Sequence, residues 1–138
     1  MPTSDEIKLK ELVKDFISIL EKCDEEKFKA IWHEKAIRFG FGNSNELITM
    51  NKEEMLKFSI NGLKKLKEKI PNPDSVKFHI NKIIQVKCIE GVLGFVELKW
   101  QMKLPSSKGT HHSIIHFVKH GQSWVIANVL EKGFEVSE

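Results

Sequence analysis

Proton transfer near neutral pH falls most readily to histidine, and the chain carries six. His111, His112 and His116 crowd into one segment, which on paper suggests a metal cluster. In an extended chain, however, His111 and His112 point to opposite faces, and His112 and His116 stand about 13 Å apart at about 3.3 Å per residue. A zinc ligand must come within about 2.1 Å of its ion, so this run alone assembles no site and no metal is expected. One histidine lining a cavity would instead have the intrinsic pKa of a general base. His111 shares the parity of Ser113, Ile115 and Phe117, read as the inner face, and is the catalytic candidate; the alternative for it is a strand end or a subunit face. His33 follows Trp32 at an expected helix end, where an imidazole meets the last carbonyls. Arg38 alternates with Ile37 and Phe39, and an arginine there either holds a carboxylate inside a cavity or pairs with a surface glutamate. Cys23 and Cys88 lie far apart without metal-ligand spacing, and both read as buried thiols.

These residues need elements to position them, and the pattern supplies helices first and strands after. Ser4 and Asp5 are capping residues ahead of Ile7, Leu9, Leu12, Val13, Phe16, Ile17 and Leu20, whose spacing of three and four predicts an amphipathic helix. Asp24 caps a second, shorter helix carrying Phe28, Ile31 and Trp32 and ending near residues 33–35. From Ala36 the period becomes two, and Gly42-Asn43-Ser44-Asn45 turns the chain into a short strand over 46–50. Asn51 with Glu54 has the form of a capping box and opens a third helix through about Lys69, on Met55, Leu56, Phe58, Leu63 and Leu66. Pro71 and Pro73 end it.

The remainder reads as sheet. Val76, Phe78, Ile80, Ile84, Val86 and Cys88 share one parity of a long strand, with Lys82 as the exception, and Glu90-Gly91 makes the turn. Gly94, Val96, Leu98, Trp100, Met102 and Leu104 then alternate with polar residues, so that a mostly apolar wall backs onto a largely polar face. After a polar loop at 105–109 come two runs rich in β-branched and aromatic residues, from Thr110 to Glu131, joined at His120-Gly121-Gln122 as an antiparallel hairpin.

Composition limits the partners. The 138 residues, 41% hydrophobic, suit one domain over 1–138, burying roughly two-thirds of its unfolded surface. A net charge of +3, from 22 basic and 19 acidic side chains, is too small and too dispersed for a nucleic-acid stripe. No apolar run approaches the roughly 20 residues of a membrane span or forms a signal-peptide core, which predicts a soluble cytoplasmic protein.

Two segments carry a resemblance. Asp24-Glu25-Glu26-Lys27-Phe28 before Ile31-Trp32-His33-Glu34-Lys35-Ala36-Ile37, and the closing Gly121-Gln122-Ser123-Trp124-Val125-Ile126, are similar to local signatures of the nuclear transport factor 2-like superfamily. The order of elements along nearly the whole chain resembles it too. The resemblance implies a cone-shaped α+β fold, a curved mixed or antiparallel sheet packed against three N-terminal helices. It is strongest to the SnoaL-like and lumazine-binding branches, whose members include cyclases, isomerases, dehydratases, ligand-binding proteins and association domains, so the site must be argued separately. The implied cone interior would place Phe16, Arg38, Phe58, Leu98, Trp100, Met102 and Phe117 around a pocket for a small hydrophobic or aromatic molecule, with no cofactor. Ketosteroid isomerase, a member of the superfamily, works through a tyrosine and two aspartates. Phe16, Gly40 and Ile115 stand in those places here, so that mechanism is not expected. Three functions follow: an apolar-pocket binding protein; a cyclase, isomerase or dehydratase with an inward histidine as base; and an association module. In the last, an outer face carrying His112, Ile114, His116, Val118 and Trp124 makes a homodimer or docks a partner.

Overall fold

The computed structural model describes residues 3–42 and 44–137, with side chains described as far as Gly133. Helix α1 (Ser4–Lys22) is capped by Thr3, one residue ahead of the expected Ser4: the Thr3 hydroxyl accepts from the Glu6 amide and the Glu6 carboxylate accepts from the Thr3 amide, both at 3.1 Å. Such a box satisfies two of the amides that a helix start leaves open. Cys23, in left-handed conformation at φ 53°, closes α1, and Asp24 caps α2 (Glu25–Ile31). This second helix stops earlier than residues 33–35. Trp32 turns extended (φ −98°, ψ 136°), pairs with Ile126, and buries its indole 5.6 Å from the rings of both Phe16 and Phe28. A large buried aromatic outweighs one more helical turn. His33 therefore sits in a strand, its Nδ1 accepting from the Lys35 amide at 3.0 Å, and not at a helix end.

Strand β1 (Trp32–Phe41) leads to β2 (Ile48–Asn51) and, through the Asn51–Glu54 capping box, to a third helix, α3, over 52–69. The middle of α3, Leu56–Asn61, is π-helical, with ordinary α-helix on either side. Four long strands follow: β3 (Lys77–Ile89), β4 (Leu93–Lys103), β5 (Ser107–His120) and β6 (Ser123–Ser137). They form one curved mixed sheet in the order β2-β1-β6-β5-β4-β3, antiparallel throughout except where β1 runs parallel to β6.

Bulges decide which side chains face in. In β3 the pairing skips Asn81 and Ile84, so Ile80, Ile83 and Val86 turn towards the core while Lys82 and Ile84 turn out. The parity assigned to Ile84 is thereby corrected, and Lys82 stops being an exception. Each extra residue in a bulge reverses the alternation. A third bulge, at Ala127 opposite the step from His116 to Phe117, brings both Ile126 and Val129 inward. It sends Trp124 inward too: the indole is 8% exposed, with the Lys119 ammonium 5.6 Å from its ring. Trp124 thus belongs to the core, and His112, Ile114, His116 and Val118 keep the outer face without it.

Helices α1 and α3 cover the inner face. Leu9, Val13, Phe16, Ile17 and Leu20 from α1, and Met55, Ile60 and Leu63 from α3, meet Val96, Leu98, Ile115, Phe117 and Ile126 from the sheet. At about 1.5 to 3 kcal/mol for each large apolar side chain removed from water, this layer dominates the fold's stability. Gly94 serves the same packing. A Cβ there would stand 2.5 Å from Leu9 Cδ1, so the space that its missing side chain leaves is taken by α1. No helix among the described residues is long and apolar enough to cross a membrane.

Candidate functional site

Between α1, α3 and the wide end of the sheet lies a cavity of about 740 Å³. Its walls are apolar, with Phe16, Leu20, Met50, Met55, Leu63, Phe78 and Met102 among the lining residues. Its floor is a polar cluster from three neighbouring strands: Arg38 of β1, His111 and Ser113 of β5, and Glu131 of β6. The register brings them together. Ser113 is opposite Glu131, His111 is opposite Gly133, and Arg38 lies beside Val129, two residues short of Glu131 on the adjacent parallel strand.

Glu131 is the centre of the cluster. Its side chain is only 8% exposed, Arg38 donates to Oε2 from Nε at 3.2 Å and from Nη2 at 2.5 Å, and the Ser113 hydroxyl donates to Oε1 at 2.7 Å. Ser113 in turn accepts from Trp100 Nε1 at 3.0 Å. Burial by itself would push the carboxyl of Glu131 up; His111 beside it, and the charge and hydrogen bonds of Arg38, outweigh that and hold it at about 2. The carboxylate is therefore ionised over the whole physiological range. A buried ion pair of this kind needs its remaining lone pairs filled, and Ser113 fills one.

His111 lies flat beside this carboxylate. Its ring stacks on Trp100, with centroids 4.1 Å apart and planes 14° apart, and Trp100 stacks on Phe78 at 5.8 Å on its other side. The buried Nδ1 is 3.6 Å from Glu131 Oε2, outside hydrogen-bond distance but within reach of a charge-assisted contact. Two glycines make room for the ring. A Cβ on Gly133 would stand 2.7 Å from Nδ1, and one on Gly109 would stand 3.4 Å from Nε2. Gly40 does the same for Arg38, since a Cβ there would come within 2.9 Å of the guanidinium carbon. All three glycines line the cavity.

No family model and no curated protein matches the sequence. Solved structures do match. One, a nuclear transport factor 2-like protein of unknown function from Pseudomonas putida, superposes with a TM-score of 0.72 over 96% of this chain and 88% of its own, at 12% identity. Another of the same description, from Silicibacter pomeroyi, gives 0.64 over 95% and 98%, at 17% identity. The fold is nuclear transport factor 2-like. A proposed calcium/calmodulin-dependent protein kinase II association domain from Xanthomonas campestris shares it, with a TM-score of 0.68 over 91% of this chain and 84% of its own, at 15% identity.

Within this nuclear transport factor 2-like cone, Phe16, Arg38, Phe58, Trp100 and Met102 line the cavity together with His111. Phe58 does so from the rim, where it is 63% exposed on the π-helical turn. Leu98 and Phe117 do not line it. They are 0% and 1% exposed and belong to the packed core beside the cavity. Trp100 is mostly core as well: it is 7% exposed, and both ring faces are covered. The sequence places Ser113 on the inner face with His111 but gives it no role, and Glu131, Gly109 and Gly133 were missed. On the outer face, His112 Nε2 lies 2.6 Å from Glu97 Oε2 and His116 Nδ1 lies 3.1 Å from Asn128 Oδ1, so His111 is separated from both by the sheet itself. Among the described residues no group of three or more His, Cys, Asp or Glu side chains gathers closely enough to hold a metal ion.

Proposed function

We propose that the protein binds a small apolar or aromatic molecule inside the cone. The observation that supports this best is the cavity of about 740 Å³, walled by apolar side chains and floored by a few convergent polar groups, the usual build of a small-molecule site. The walls supply affinity through buried area and the floor supplies orientation. Titrating the purified protein with a panel of bicyclic aromatic compounds by ligand-detected NMR tests it. Binding that Met102→Trp abolishes, by filling the space, is the expected result. A folded protein that binds none of the panel overturns it.

A second reading, an enzyme of the cyclase, isomerase or dehydratase kind with His111 as base, is favoured by the 3.6 Å approach of Nδ1 to Glu131. A carboxylate this close to one imidazole nitrogen favours the imidazolium that forms when the other takes a proton. A homodimer through the outer sheet face accompanies either reading. Ile37 and Leu130 are each 41% exposed there beside Ile114 and Val118, and the similarity to a proposed association domain points the same way.

A further inference from the structure

Among the described residues four ionisable side chains line the cavity: Arg38 from β1, Lys57 from α3, His111 from β5 and Glu131 from β6. Lys57 is at the rim, 70% exposed and 3.6 Å from Glu53, so water screens it. At the floor Arg38 and Glu131 neutralise one another, and Ser113 occupies the second carboxylate oxygen. Among the described residues only His111 is left to set the net charge that a ligand meets. With a neutral imidazole that charge is zero, and with an imidazolium it is +1.

Apolar walls make this choice consequential. An anionic head group brought against ionised Glu131, in a site walled by Phe16, Met55 and Met102, is strongly disfavoured unless a new positive charge accompanies it. Protonated His111 is built to supply that charge. Its Nδ1–H would point at Glu131 Oε2, 3.6 Å away, and Nε2–H, on a ring that lines the cavity, would be left to donate to the ligand. The floor then balances a single negative charge, which suits a carboxylate and leaves a phosphate dianion in excess. We propose that the cone takes an aromatic or alicyclic carboxylate and binds it together with one proton, held on His111. This rests on the reading of the cavity as a ligand site and adds the ligand's charge.

Isothermal titration calorimetry with 2-naphthoate and its neutral isostere 2-naphthamide separates the two readings. At pH 8, titrations in phosphate and in Tris differ in buffer ionisation enthalpy, so the difference in apparent heat counts protons. Uptake approaching one proton per 2-naphthoate is expected, with none for 2-naphthamide. Across pH 7 to 9 the naphthoate affinity is expected to fall about tenfold per pH unit, as one-proton linkage requires, while the naphthamide affinity stays level. His111→Gln should abolish the proton uptake and weaken 2-naphthoate at least tenfold more than it weakens 2-naphthamide. Binding of 2-naphthoate by the parent protein without proton uptake, or of 2-naphthamide alone, overturns the carboxylate assignment and leaves the ligand-site reading standing. Failure of the folded parent to bind either compound overturns both. The parent's buffer dependence decides the matter even where a variant does not fold.

Discussion

Replacing Glu131 by glutamine removes one charge and almost no volume, so it isolates what the buried carboxylate contributes. The folded protein holds this group at about 2 against an ordinary 4.5. Its folded pKa is lowered, so the stabilisation is complete above the unfolded pKa and is lost as pH falls towards 2. At 1.36 kcal/mol per pH unit that is about 3 kcal/mol, of which about 2 is gone at pH 3, where the unfolded chain is protonated and the folded one still ionised. Glutamine has no such dependence. At pH 7 the variant also leaves the Arg38 guanidinium, 19% exposed, without its counter-charge, and breaking a buried pair in this way costs about 3 to 5 kcal/mol. The assay is urea unfolding of both proteins at pH 7 and pH 3. All other carboxylates are common to the two, so their contributions cancel in the comparison. The parent should lose about 2 kcal/mol more than Glu131→Gln over that interval. Equal losses would show that Glu131 is not held ionised by its neighbours, and the account of the floor would fail.

Trp100→Ala should cost about 3 to 5 kcal/mol in the same assay, because the ring is packed between Phe78 and His111 and carries the hydrogen bond to Ser113; a loss under 1 kcal/mol would contradict this. Gly94→Ala should destabilise by about 1 to 3 kcal/mol through overpacking against Leu9 Cδ1, and Leu9→Ala made in addition should cost less in that background than in the parent. Leu130→Glu on the outer face should convert a dimer to a monomer in sedimentation velocity at micromolar concentration; a parent that is already monomeric refutes the proposed interface.

The helices and the last four strands were legible as elements from their length and composition, and α1 and β4 were legible in their facing as well because their periods run uninterrupted. Alternation from Gly94 to Leu104 needed no correction, since β4 has no bulge among its pairings with β5. Errors gathered where tertiary burial overrode local preference or where a bulge reset the count. Trp32 left its helix to pack on Phe16 and Phe28, and Trp124 changed face because Ala127 adds one residue between it and the well-aligned stretch of β5. A bulge leaves no mark in a strand apolar on both faces, where either parity reads equally well.

The centre of the site went unread for a different reason. Counting seven residues on from an outer Trp124 puts Glu131 on the inner face, as does counting back from Gly133, opposite His111; it was passed over because a lone glutamate at the end of a hairpin carries no pattern of its own. Two signals could have found it. Arg38 on an inward parity demands a buried acid within reach, and Glu131 is the one acidic residue between Ser123 and Gly133. Glycines at 40, 109 and 133, each in a strand, are the other signal, because glycine weakens a strand and stays where something must approach the backbone closely. Here the guanidinium and the imidazole approach it. A site of this kind is specified as much by the side chains left out of the sheet as by those put in, which is why a search for catalytic residue types recovers Arg38 and His111 but passes over the carboxylate and the three gaps that hold them in place.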